Sequence, residues 1–456
     1  MNNRIRVLLI AEMCNPDWIS IPLEGWCHGQ AIAALTDTHL VTHTRNRENI
    51  AKAGLIEGQH FTALDAPMTE ACLHTLGRLA GARAMGNKSW TTLTALSAVA
   101  YYPFERQVWQ RFGAGIRGGA YDVVHRLTPM SPTVPSLLAR WCRRAGVPFV
   151  MGPLNGGLAW PAQFGHLRAV EREWLSYVRG AYKLLPGYRS TRQNASAIVA
   201  GSASTRAEID AEFQAKTVYV PENAIDPTRF ERQCQGPPAR PLRVVFIGRL
   251  VPYKGADILI EAAAPLARAG QVVLDIIGDG PEMARLQSLA QAADATHSVR
   301  FPGWIPHRDL QQYLDGAHVF AFPSVREFGG AVVLEAMALG LVPIVMDYGG
   351  PGELVTASTG FVLPMASRDD IVASLRAVLE RLVATPSQIA PIGARARARA
   401  QGQFTWQVKA QQMVHVYNWV LGREGKPNFG MPLTDLPDAE TVETGGALPA
   451  LGARHR

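Results

Sequence analysis

Cysteine is scarce in this chain and poorly placed for chemistry. Its 456 residues include five, Cys14, Cys27, Cys72, Cys142 and Cys234, and no two stand as C-x-x-C. An odd number without paired spacing argues against a zinc site and against a disulfide framework, and points to a reducing compartment. No apolar run approaches the roughly 20 residues that cross a bilayer. The start, "MNNRIRVLLIAEMCNP", sets two arginines before an apolar run. That run is only about seven residues long and lacks a small-residue cleavage site, so it reads as a first buried strand. The first strand–helix turn, "AEMCNPDWISIPLEG", has no G-x-G-x-x-G, which weighs against a dinucleotide-dependent oxidoreductase. No convincing Asp-x-Asp pair stands beside a predicted strand, and Asp369-Asp370 opens a surface helix. No catalytic metal is expected. Long-period repeats are absent too.

What is present bounds the rest. The chain is too long for one core, which rarely grows beyond roughly 250–300 residues, so two domains are expected. A hydrophobic content of 47% with 18% charged residues describes a soluble globular protein. The net charge of +7 suits an anionic partner; nucleotide, phospholipid and nucleic acid fit equally on charge alone.

Short β-branched runs alternate with helical segments. "RVLLIAE", "THLVTHT", "DVVHR", "PFVMG" and "AIVAGS" read as strands in the first half. "RVVFIGR", "VVLDIIGDG", "VRFPGW", "VFAFPS" and "VPIVMDY" do so in the second. Near-continuous apolar strands between helices predict parallel sheets covered on both faces, hence two doubly wound α/β domains. The predicted division is an N-terminal domain over 1–231, a Pro-rich linker over 232–241, and a C-terminal domain over 242–403. An amphipathic helix follows over 404–422. From Arg423 periodicity gives way to Gly, Pro, Thr and Asp, so 423–456 is expected to be a disordered tail.

In open α/β sheets ligands bind beyond the carboxyl ends of the strands. His125, Gly152, Asn155, Gly156, Gly157, Arg249, Lys254, Gly278 and the segment Glu327 to Gly330 fall at such ends. In "FIGRLVPYKG" a guanidinium fork and an ammonium, Arg249 and Lys254, suit a diphosphate; an ordinary solvated basic loop is the competing reading. In "REFGGAVVLEAMALG" every residue from Ala331 to Leu339 except Glu335 is apolar. A carboxylate in such a helix is costly unless something pairs with it. Gly329 and Gly330 are expected to start that helix and offer free amides to an anion. Glu335 could accept two hydrogen bonds from a ribose diol, or pair with a buried Arg.

Arg249 and Lys254, then Glu327 and Glu335 with seven residues between them, then "YGGPGELV", together resemble the retaining nucleotide-sugar glycosyltransferases of family four, which have the GT-B fold. "AIVAGSASTRAEI" and "VPENAIDPTRF" are similar to further segments of that family. The resemblance spans about residues 195 to 420 well and 1 to 190 loosely. It implies that Glu335 holds the ribose, that Arg249 and Lys254 hold the diphosphate, and that Glu327 with the amides of Gly329 and Gly330 meets the donor sugar. It also implies that "FPGWIP" borders the base near Trp304. Gly25 would face the phosphates from the N-terminal domain, with His125 at the reacting sugar; a histidine simply buried at its strand end is the competing reading. The 404–422 helix would cross back onto the N-terminal domain. Departures are Glu24-Gly25 in place of a double glycine, Ala224 in place of a glycine, Leu127 where many members have a His, and an aromatic moved by one at Phe328.

The implied activity is metal-independent, configuration-retaining transfer of a hexose from a UDP- or GDP-sugar to a hydroxyl. The acceptor would be an envelope glycan, a lipid-linked oligosaccharide or a glycolipid. Two alternatives are a catalytically silent nucleotide-sugar-binding scaffold and a transferase acting on a small soluble acceptor. No nucleic acid is expected as partner. Residues 166–193 carry six Arg or Lys against two Glu, interleaved with aromatics, and 101–112, "YYPFERQVWQRF", is similar. Such segments suit an anionic membrane surface, or a helix with its aromatics in the core and its arginines in water. The expected location is cytoplasmic, with peripheral contact on the inner face of the plasma membrane.

Overall fold

The computed structural model describes residues 4–65, 90–165, 167, 181–230 and 240–430. Two wholly parallel sheets organise them. The first joins β1 Arg6–Ala11, β2 Asp37–His43, β3 Phe61–Leu64, β4 Val123–Thr128, β5 Phe149–Leu154, β6 Ala197–Ala200 and β7 Thr217–Tyr219, in the order β3-β2-β1-β4-β5-β6-β7. The second joins β8 Leu242–Ile247, β9 Val272–Ile277, β10 Val299–Gly303, β11 Val319–Phe322, β12 Val342–Met346 and β13 Phe361–Leu363, in the order β10-β9-β8-β11-β12-β13. Both orders reverse direction beside the first strand of their sheet, which opens a crevice at the carboxyl ends. The expected GT-B architecture, two doubly wound domains, is therefore the one observed.

The central strands β4, β5, β6, β11 and β12 are buried at every position, as strands covered on both faces must be. The sequence reading missed β3, β7 and β13. All three are edge strands of three or four residues, too short to give a continuous apolar run.

The longer helices include α1 Ile21–Leu35, α2 Trp90–Arg117, α3 Ala256–Arg268 and α5 Trp406–Val420, with the short α4 Ala331–Ala338 after β11. Thr405 caps α5 by accepting from the Val408 amide, a contact worth about 1 kcal/mol. The buried residues Ala410, Met413, Val416 and Tyr417 form one stripe of α5, and they join the N-terminal core with β1 and β4. The chain crosses between domains at Ile225, whose amide donates to Phe404 O at 2.8 Å while Trp406 N donates back to Ile225 O at 3.3 Å. The helix thus lies on the N-terminal domain.

Several expectations need correction or fall outside the structure. The tail does not lose order at Arg423. Lys426 donates to Gln214 O and Ala215 O at 3.2 and 2.9 Å, and Glu424 accepts from Asn418 at 2.6 Å. Residues 431–456 lie outside the described residues, as do 232–239 of the linker. In the 101–112 segment Tyr101, Phe104 and Phe112 are buried in the core while Arg106 and Arg111 are exposed. Those aromatics pack as the core reading expects. Of the 166–193 segment, Arg172, Trp174, Tyr177 and Arg179 lie outside the described residues. Within the described part Tyr188 is buried, Lys183 pairs with Asp210 at 2.7 Å, and Leu184 is 86% exposed.

Candidate functional site

The C-terminal domain builds one wall of the crevice from loops after β8, β11 and β12. A 3₁₀ turn, Pro252–Lys254, ends at Gly255 with φ +76°. A methyl group on Gly255 would lie 2.3 Å from Pro323 O, so only glycine lets this turn rest on the strand-end loop. The turn aims Lys254 across at Glu327, and the two side chains form an ion pair. The Lys254 ammonium also lies 5.1 Å from the Phe322 ring. Arg249 follows β8 and is exposed.

Glu327 precedes α4, whose first residue follows Gly330 at φ +75°. Val333, Leu334, Ala336, Met337 and Ala338 are buried, and Glu335 is half-buried among them. The helix therefore combines a glycine-led N-terminus, suited to an anion, with one polar side chain emerging from an apolar body. Gly329, Gly330, Lys254, Glu327 and the start of α4 come together at this strand end. The indole of Trp304, at the end of the edge strand β10, is 71% exposed.

Three other predicted residues are placed differently. His125 is wholly buried within β4; its Nδ1 meets Tyr417 Oη at 2.7 Å and its Nε2 meets Gly152 O at 2.6 Å. Both ring nitrogens are engaged by protein, and the ring links β4, β5 and α5. Burial lowers its pKa to about 4 against one favourable bond to Gly152 O, which keeps the ring neutral. At Gly25 a methyl group would lie 2.3 Å from Met13 O, and at Gly278 one would lie 1.9 Å from Gly248 O. Protein backbone crowds the side-chain direction at both positions, so each requires glycine.

The N-terminal domain supplies groups that sequence reasoning missed. The segment after β5 reaches across the crevice. Trp160 lies edge-on to Tyr253 at 5.9 Å, and the Arg326 guanidinium sits 4.7 Å from the Trp160 ring. Tyr348 Oη donates to Ala159 O at 2.8 Å. Phe164 is buried in the core of the C-terminal domain. This strap touches the residues just before Lys254, Glu327 and Gly349. Farther in, Glu222 and Asn223 face the loop before α4: a methyl group on Gly329 would lie 1.9 Å from both Glu222 Oε1 and Asn223 Nδ2. Glu353 accepts from Ala203 N at 2.9 Å and from Tyr219 Oη at 3.1 Å, tying the domains again.

Charges gather in this seam. Burial raises Glu222 well above the usual carboxylate range, with Glu24 adding to the rise, Lys409 opposing it, and Glu327 also raising it. Burial likewise lifts Glu24, in the first turn of α1, to about 7, opposed by Lys409 and reinforced by Glu327. Lys409 of α5 is lowered to about 7 by burial, against the pull of Glu222 and Glu24. A signal for Lys409 existed in the sequence: it is a charge on the stripe that α5 buries, the same anomaly that marked Glu335.

With this geometry known, comparisons place the chain among other proteins. Residues 227–390 match the family model described as glycosyl transferases group 1. The amylovoran biosynthesis glycosyltransferase AmsK of Erwinia amylovora is 27% identical over 210 residues, 44% of this chain and 51% of that protein. The putative colanic acid biosynthesis glycosyltransferase WcaL of Escherichia coli (strain K12) is 32% identical over 203 residues, covering 42% and 48%. The chain thus spans about half the length of these curated relatives. Among solved structures, Anabaena Alr3699/HepE in complex with UDP superposes with a TM-score of 0.56 at 17% identity, over 90% of this chain and 98% of that one.

Proposed function

We propose, from the match of residues 227–390 to the glycosyl transferases group 1, that the protein moves a hexose from a nucleoside diphosphate sugar to an acceptor hydroxyl with retention of configuration. The observation that carries this reading is the meeting of Lys254 and Glu327 at the glycine-led start of α4. A cation, an anion-binding helix end and a carboxylate converge where a diphosphate joined to a sugar would present the complementary groups.

Arg249 and Lys254, with the amides at Gly329 and Gly330, receive the diphosphate. Negative charge grows on it as the glycosidic bond breaks, and preorganised cations and dipoles aimed at growing charge are the largest catalytic term in many enzymes. With two basic side chains and a helix end at that position, turnover requires no divalent ion. Glu335 accepts from the ribose hydroxyls, and the Trp304 segment borders the base. Glu327 contacts the sugar. His125 has no part in the chemistry.

The acceptor is a glycan or lipid-linked glycan of the cell envelope, a reading supported by the names of AmsK and WcaL. It is reached from the N-terminal domain, in peripheral contact with an anionic membrane on the cytoplasmic side. The exposed Leu184 beside Lys183 supports that contact.

A thermal-shift panel of UDP, GDP, ADP and their sugars tests the donor assignment. A ligand at 100 times its Kd stabilises by about 2.7 kcal/mol, a readable shift. No response to any nucleotide at millimolar concentration rejects it. Turnover surviving excess EDTA is expected; loss restored by Mg²⁺ or Mn²⁺ rejects the metal-independent reading. Sedimentation with anionic vesicles at low salt tests the membrane contact, and protein left wholly in the supernatant rejects it.

A further inference from the structure

The proposed chemistry leaves a cluster of buried charge unused. Glu24 stands in the first turn of α1, Glu222 follows β7, and Lys409 lies on α5, so three separate elements bring them to one seam. Lys409 is 1% exposed, and its Nζ has no hydrogen-bond partner among the described residues. Asn155, which bonds Glu222, leaves its Oδ1 unpartnered there, and so does His28 with both ring nitrogens. The other groups facing the cluster are Cys27 on α1, His125 on β4, and Glu327 with Lys254 behind it.

The charges do not balance. Glu24 and Glu222 share one buried lysine, and neighbouring carboxylates resist ionising together. Glu327 also bears on both of them. Its charge is offset by Lys254 while that pair holds. On the donor reading above, the diphosphate takes Lys254. Glu327 then turns an unpaired negative charge toward Glu24 and Glu222.

We propose that Glu24, Glu222 and Lys409 are positioning residues of the donor site that take up a proton when a nucleoside diphosphate binds, so that Glu327 alone carries full negative charge toward the sugar. The proton comes from solvent and is held on a cluster carboxyl or on the Lys409 amine; no covalent bond is made or broken. A new negative charge raises the proton affinity of all three groups. Because Glu24 and Lys409 already titrate at about 7, the uptake is largest at and just above neutral pH.

Isothermal titration of UDP, and separately of GDP, at pH 7.5 in buffers of different ionisation enthalpy counts the protons exchanged. The wild type is expected to take up about one proton more than Glu24→Gln or Lys409→Met. The nucleotide's own protonation is common to all proteins and cancels in that difference. The difference shrinks at pH 5.5, where the cluster is already protonated. Near-ultraviolet circular dichroism checks that each variant is folded, and Lys409→Gln replaces Lys409→Met if that one is not. Saturable binding with equal proton counts in wild type and variants overturns the proposal. Absence of nucleotide binding by the wild type rejects the donor reading itself, together with the coupling built on it. The two failures are therefore distinguishable.

Discussion

Replacing Glu327 by glutamine should tighten the binding of a nucleoside diphosphate, although Glu327 belongs to the site. In the structure Lys254 is already engaged with Glu327, and the two side chains are only 16% and 19% exposed. The pair is therefore not one of the surface ion pairs worth 0–1 kcal/mol. A diphosphate can take Lys254 only by breaking it. A hydrogen bond to a charged group contributes about 1.5–3 kcal/mol, and this is the amount the incoming nucleotide must offset. Glu327→Gln removes that competition while leaving Lys254 in place. It also removes a negative charge near the phosphates. UDP or GDP should bind about 1.5–3 kcal/mol more tightly, a factor of about 10 to 150. Transfer should fall in the same variant, because the proposed contact to the sugar is lost.

The companion variant fixes the interpretation. Lys254→Met should weaken nucleotide binding by about 2–5 kcal/mol, the cost of removing a desolvated charge partner. Adding Glu327→Gln to Lys254→Met should then gain nothing beyond about 0.5 kcal/mol, because the competition acts through Lys254. Titration calorimetry of the free nucleotide reads all three. A folded Glu327→Gln protein that binds the nucleotide no better than wild type would refute the competition argument. Equal gains from Glu327→Gln with and without Lys254 would assign the effect to simple charge repulsion instead.

Glu335→Gln should weaken binding of nucleoside diphosphates by about 1–2 kcal/mol and leave inorganic pyrophosphate unaffected; equal losses for both ligands would remove Glu335 from the ribose. Trp160→Ala strips the ring contacts to Tyr253 and Arg326, each worth about 0.5–1.5 kcal/mol, so the strap should become more susceptible to limited proteolysis; an unchanged cleavage pattern would argue against a strap held by these contacts. For His125 the folded pKa of about 4 lies below its ordinary 6.5, so the unfolded chain binds more protons between those values and stability falls as pH drops through that window. Relative to His125→Gln, the wild type should lose about 3 kcal/mol from pH 6.5 to pH 4; parallel pH profiles in denaturant melts would contradict the buried neutral ring.

How much of this was legible in the sequence depends on distance along the chain. The central strands announced themselves because burial on both faces demands continuous apolar runs, as in "RVLLIA" and "VPIVM". The edge strands β3, β7 and β13 did not, since one flank of each lacks a partner and three or four residues make no pattern. Glycines were legible as close-approach positions but not as to what approaches. At Gly25 and Gly278 the neighbour is a backbone carbonyl. Periodicity cannot tell a ligand from a loop.

The site divides the same way. Lys254, Glu327 and Glu335 lie within about one strand–helix unit of one another in space, and strand-end logic brings such residues together without long-range information. Glu24, Glu222, Trp160 and Lys409 reach the same crevice from four parts of the chain remote from that unit. Only the packing of α5 on the N-terminal domain and the crossing at Ile225 bring them there. Lys409 is the instructive case. A lysine that α5 buries beside Ala410 and Met413 costs several kcal/mol unless a charge faces it, so the anomaly was visible in "WQVKAQQMVHVY" alone. What the sequence could not supply was the partner. Glu24 and Glu222 bear on Lys409 only because two domains close on one another. The same closure brings both carboxylates under the influence of Glu327. A helix that served only to fasten the domains would place an apolar residue at 409. The retained lysine follows instead from the excess of carboxylates in the seam.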